Sequence, residues 1–168
     1  QARGLPLGMI ITCGNQAQNS QAILAAHLLD DPRVTAIGLH IEGMGNLREW
    51  EALARKAHLK GIPLIALKSG RSAQARAATV SHTASLAGGD AAADALMKRL
   101  GIRRVDSLPV FLEALKLAHV VGPLSHAGIA SISCSGGEAA LAADTAHGTS
   151  VSFPELNAEQ RTGLANAL

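Results

Sequence analysis

Aromatic side chains are nearly absent: the 168 residues hold one tryptophan, two phenylalanines and no tyrosine. Nucleobases and flavin rings are commonly gripped by stacking, and Trp50, Phe111 and Phe153 supply no platform for it. Charge of either sign is also in short supply. Fifteen Lys and Arg against thirteen Asp and Glu leave a net charge of +2, with the cations scattered rather than gathered into a stripe that could track phosphates. Nucleic acid is therefore not an expected partner. Cysteine is limited to Cys13 and Cys134, with no metal-ligand or redox spacing, so both are expected to be buried thiols in a reducing compartment. No apolar run approaches the roughly 20 residues that span a bilayer, and the first residues lack a cleavable leader pattern. A cytoplasmic protein with no membrane contact is the expectation.

What is abundant is alanine, 32 residues of it, within a chain that is 48% hydrophobic. Small aliphatic side chains suit helices laid closely on a sheet. Apolar runs alternate with helical patterns: strands are expected at 7–12, 34–41, 62–67 and 102–105, and helices at 20–29, 46–60, 90–100 and 108–119. Trp50, Leu53, Ala54 and Ala57 share one helical face, and Asp90 is the expected cap of the helix it opens. Such alternation predicts an α/β fold, a doubly wound parallel sheet with helices on both faces.

Residues 1–122 form the first expected domain and 123–128, rich in Gly, Pro and Ser, a linker. Residues 129–168 restart the pattern with strands at 129–134 and 151–153 and helices at 138–146 and from 157 onward. Two repeats are too few to bury a sheet, so a truncated second unit, and a chain that is a piece of a longer polypeptide, are expected.

The segment from Lys68 to Asp90 carries the chemistry. His82 lies between Ser81 and Thr83, downstream of Lys68-Ser69-Gly70-Arg71 and upstream of Gly88-Gly89-Asp90. Imidazole is a nucleophile near neutral pH, and a helix start favours anions. Glu42 stands just past the second expected strand, followed by Gly43-Met44-Gly45. It is placed either to hydrogen-bond His82 and fix its tautomer or merely to cap the helix beginning near Asn46, and the sequence does not choose between these roles. Gly14-Asn15, Asn19-Ser20 and Ser135-Gly136-Gly137 supply backbone donors at helix starts, each a weak signal alone. Lys68 and Arg71 could meet phosphate, although loop cations are more often solvated. His27, His40, His58, His119, His126 and His147 show no ligand spacing, so no metal site is expected. The absence of a GxSxG elbow removes a serine-hydrolase reading.

Taken in order, Gly14-Asn15-Gln16-Ala17, Asp31-Pro32, Ile41-Glu42-Gly43, Lys68-Ser69-Gly70-Arg71, Ser81-His82-Thr83, Ser85-Leu86-Ala87-Gly88 and Ser135-Gly136-Gly137 resemble the NDP-forming acyl-CoA synthetases, relatives of succinyl-CoA synthetase. The resemblance covers nearly the whole chain, and Ala84 departs from the glycine the family often has after His-Thr. It implies a flavodoxin-like domain in which His82 is phosphorylated and Glu42 holds it. It also implies phosphate-binding helix starts near Gly14, Asn15, Asn19 and Ser20, at Ser81 and Thr83, and at Ser135, Gly136 and Gly137. The implied reaction joins a small carboxylic acid to CoA with ATP turned to ADP, Mg²⁺ entering with the nucleotide. CoA-binding and ATP-grasp domains, in the same polypeptide or a partner subunit, would complete an enzyme expected to be oligomeric. The competing expectation is a catalytically silent domain that bridges or regulates a neighbour.

Overall fold

A computed structural model describes residues 4–14, 16, 18–75 and 89–167 of the chain. It divides into two compact units, Gln1–Pro123 and Leu124–Leu168. The first unit runs α1 (Gln21–Leu28), β1 (Ile37–Ile41), α2 (Leu47–Lys60), β2 (Leu64–Lys68), α3 (Asp90–Arg99), β3 (Arg103–Val105) and α4 (Leu108–Val121). The three strands are parallel in the order β1-β2-β3, with Ile37 opposite Leu64 and Ile65 opposite Arg103. This is the expected α/β architecture.

Local chemistry sets the element ends. The Ser20 hydroxyl accepts from the Ile23 N–H and opens α1. Asn46 accepts from Arg48 N–H while its amide donates to Glu49, so α2 begins on its own polar residues. Gly61 ends α2 at φ 65°, a left-handed conformation that glycine adopts without a Cβ penalty, and the following Ile62 N–H donates back to the Ala57 carbonyl. Gly101 (φ 69°) repeats the device after α3, with Ile102 bonded to Met97.

Strand alternation then builds the core. Ile37, Leu39 and Ile41, with Leu64 and Ala66 in register beside them, bury one face of the sheet against Ala22, Ala25, Trp50, Leu53, Ala57, Ala93 and Met97. Alanines at the contact let backbones approach closely, which explains the composition. Gly38, on the opposite face, lies so near α4 that a Cβ there would stand 2.7 Å from both Leu115 Cδ1 and Phe111 Cζ. Helices thus cover both faces.

Several expectations are corrected. Residues 7–12 form no strand, and Leu7, Met9, Ile10 and Ile11 are exposed. An extended apolar run becomes a strand only where an edge accepts its backbone, and the outer edge of β1 is partly taken: the Gln21 side-chain amide donates to the His40 carbonyl at 2.9 Å. In the second unit, α5 (Gly136–Ala146) and α6 (Ala158–Ala167) bury no residue, 129–134 form no strand, and 151–153 contribute only Ser152 to an isolated bridge with Gly128. Too few elements are present there to cover a sheet. Cys134 is exposed and Cys13, just past 7–12, half-buried, rather than both buried: neither belongs to an element packed on the sheet. Asp90 is the first residue of α3, not its cap; Gly89 holds that position without a side-chain bond. No helix among the described residues is long and apolar enough to cross a membrane.

Leu53 is fully buried at the centre of this core, whereas Leu59 on the same helix is 79% exposed. Leu53→Ala should cost about 2–5 kcal/mol in chemical denaturation, and Leu59→Ala should stay within about 0.5 kcal/mol.

Candidate functional site

Parallel strands deliver their carboxyl ends to one edge, where ligands of open α/β sheets bind. Glu42 follows β1 at that edge, half-buried. Its carboxylate takes no hydrogen bond or ion pair among the described residues, while α2 is capped by Asn46 and Glu49. The capping role that the sequence left open is therefore filled by other residues. The loop beyond it is pinned where the Trp50 indole N–H donates to the Met44 carbonyl. The start of α1 reaches the same edge through the Gln21 bond to His40.

At the end of β2, Lys68 is 7% exposed and donates from Nζ to the Glu42 carbonyl at 2.9 Å and to the Ser69 carbonyl. Burial pushes its pKa down, with Asp90 and Glu42 opposing that shift and Arg104 adding to it. Lys68 is a strand residue satisfied by main chain, not the loop cation its sequence context suggested. Arg71, by contrast, is about half exposed, 2.6 Å from Asp106 and 3.8 Å from Asp90.

Sequence reasoning missed the ion-pair group that lies next to it. Arg104 of β3 has a side chain only 8% exposed and binds Asp90 at 2.6 Å and Asp94 at 3.6 Å; its Nε finds no acceptor among the described residues. The Arg104 hydrogen bond holds the Asp90 carboxyl below the usual carboxylate range, and Asp90 in turn raises the Arg104 guanidinium. The one available signal was the alternation that turns Arg104 to the sheet opposite Ala66.

The helix-start residues fare unequally. Ser20 is committed to capping, and Gln16 accepts the Gln21 N–H, so the first turn of α1 is largely satisfied by its own chain. Gly14 and Asn19 are exposed, without hydrogen bonds among the described residues. In the second unit Ser135 caps α5 by accepting from Glu138, and Glu138 accepts from Cys134, leaving the Gly136 and Gly137 N–H groups without an acceptor among the described residues. Asn15, Ser81, His82 and Thr83 lie outside the described residues. Among the described residues no group of three or more His, Cys, Asp or Glu side chains is placed to hold a metal.

A cleft of about 600 Å³ opens at the opposite edge, lined by residues including Asp30, Thr35, Lys60, His119 and Pro123. None of the expected site residues lines it. The carboxyl edge, where Glu42, Lys68 and the roots of the His82 segment meet, is the better candidate on chemistry.

Comparison with known proteins identifies the family of the fold. The profile of the family described as "Succinyl-CoA ligase like flavodoxin domain" matches residues 1–118. The chain belongs to this family. An ADP-forming acetate–CoA ligase of Methanocaldococcus jannaschii is 35% identical over 136 residues, covering 81% of this chain and 19% of that protein. An ADP-forming 4-hydroxybutyrate–CoA ligase of Nitrosopumilus maritimus is 28% identical over 92% of this chain and 22% of its own length. The solved structure of a dinucleotide-forming acetyl-coenzyme A synthetase 1 of Ca. Korarchaeum cryptofilum, in complex with phosphate and ADP, superposes with a TM-score of 0.76 at 26% identity. That match covers 87% of this chain and 32% of the other. The chain therefore spans between a fifth and a third of the length of these relatives.

The Asp90–Arg104 pair gives a signed pH dependence. A carboxyl held below its ordinary value contributes stability that is present above about pH 4 and is lost as pH falls through the lower, folded-state value. The thermal midpoint should fall more steeply between pH 5 and pH 3 in the wild type than in Asp90→Asn, measured by circular dichroism; parallel curves would show that the pair contributes nothing.

Proposed function

We propose that this chain is the phosphoryl-relay domain of an ADP-forming acyl-CoA synthetase, an acid–thiol ligase that converts acid, CoA and ATP to acyl-CoA, ADP and phosphate. The observation that carries the reading is Glu42 at the carboxyl edge, its carboxylate without a partner among the described residues, beside the strand from which the segment bearing His82 departs.

In this reading a His82 ring nitrogen attacks the γ-phosphorus of ATP; the N–P bond forms, the P–O bond to ADP breaks, and ADP leaves. A carboxylate oxygen of the acid then takes the phosphoryl group, releasing the imidazole and forming an acyl phosphate. The CoA thiolate attacks the acyl carbon and expels phosphate. Glu42 accepts the N–H of the other ring nitrogen, which fixes the tautomer and stabilises positive charge on the imidazole as the bond forms. Donors at Gly14, Asn15, Asn19, Ser20, Ser81 and Thr83 bind the phosphoryl oxygens. Mg²⁺ arrives with the nucleotide. CoA and nucleotide are held mainly by CoA-binding and ATP-grasp domains of the same polypeptide or of a partner subunit, in the cytoplasm where both substrates are made.

His82→Ala in the full-length polypeptide should abolish acid-labile protein phosphorylation by labelled ATP together with ligase activity, while His126→Ala keeps both. Undiminished activity without His82 would overturn the relay, and a wild type that never becomes labelled would favour a silent bridging domain.

A further inference from the structure

Lys68 is a buried charged residue in the core-facing row of β2. It lies opposite Ile41 in the β1–β2 register, so its side chain shares the sheet face of the apolar core. Burying an ammonium is costly unless its donors are met. Two are met by main chain: the Glu42 carbonyl just past β1, and the Ser69 carbonyl just past β2. The ladder is extended at the same place, where the Ser69 N–H donates to the Ile41 carbonyl at 3.0 Å and the Ser69 hydroxyl approaches that oxygen at 3.4 Å. Lys68 therefore clamps the two strand ends beyond the point where strand pairing stops. A side chain of similar length without charge, such as methionine, would fill the space and avoid the desolvation cost, but could not make the clamp.

We infer that Lys68 is a positioning residue for phosphoryl transfer, holding the Glu42 backbone in fixed register with the root of the segment that carries His82. The inference rests on the relay reading above. The far root of that segment is fixed independently, because Asp90 is bonded to Arg104 on β3. With both roots and Glu42 tied to the sheet, the Glu42 backbone keeps a constant place relative to the two ends of that segment. Without the Lys68 clamp, Glu42 is free to drift by a fraction of an ångström to an ångström, and misplacement of that size slows chemistry without weakening substrate binding.

Single-turnover phosphorylation of the full-length polypeptide by labelled ATP separates positioning from mere stability. In Lys68→Met the rate constant should fall roughly tenfold to 100-fold, with the amplitude per folded molecule near that of the wild type and the KM for ATP changed less than about twofold. Lys68→Gln, which retains a donor for one carbonyl, should lie between and serves if the methionine variant does not fold. A normal rate constant with a reduced amplitude would assign Lys68 to stability alone and overturn the proposal. An unlabelled wild type would instead remove the relay itself, so the two failures are told apart.

Discussion

The parallel pairing of β1 with β2 is the constraint on which the rest depends. A parallel neighbour can be reached only by a crossover, so α2 must span the sheet before β2 can begin, and both strands finish at the same edge. That single requirement buries Trp50, Leu53 and Ala57 beneath the sheet and brings Glu42 and Ser69 out side by side above it. The pairing also sets the face on which each side chain falls. Lys68 shares a face with Ala66 and Leu64, so a charged group is carried into the core's upper rim and must be satisfied there by carbonyls.

Around that edge the electrostatics are internally consistent. Asp90 sits at the positive end of α3, and two arginines approach it, with Arg104 in direct contact. Its negative charge also offsets part of the burial that works against the Lys68 ammonium. The buried Lys68 and the Asp90–Arg104 pair tie strand ends and loop roots together at this edge, and the Glu42 carboxylate takes no partner among the described residues. The proposed exchange of a group of charge near −2 would call for such a rigid frame.

Much of the fold was legible because its signals are local and periodic. The α2 face of Trp50, Leu53, Ala54 and Ala57 is a helical stripe, and Ser20, Asn46 and Gly61 are end signals that act over three or four residues. The failures share a cause. Residues 7–12 and 129–134 have strand composition, but a strand is a property of a pair, and no amount of apolar character in one segment shows whether an edge is available to it. The ionic group was illegible for the same reason. Arg104 and Asp90 are fourteen residues apart, and only the placement of β3 next to β2 turns two ordinary charged residues into a contact. Glu42 was legible as a position at a strand end, yet only the structure shows that Asn46, held by Glu49, caps α2 without it.

The central claim, that one histidine passes phosphate in both directions, is tested most directly by a chase. The full-length protein is labelled with γ-³²P-ATP, freed of nucleotide, and the labelled residue mapped by mass spectrometry. The account predicts label on His82 that returns to ATP when ADP is added and is released as inorganic phosphate when acid and CoA are added together. Label on another residue, or label on His82 that leaves by one route and not the other, would contradict it.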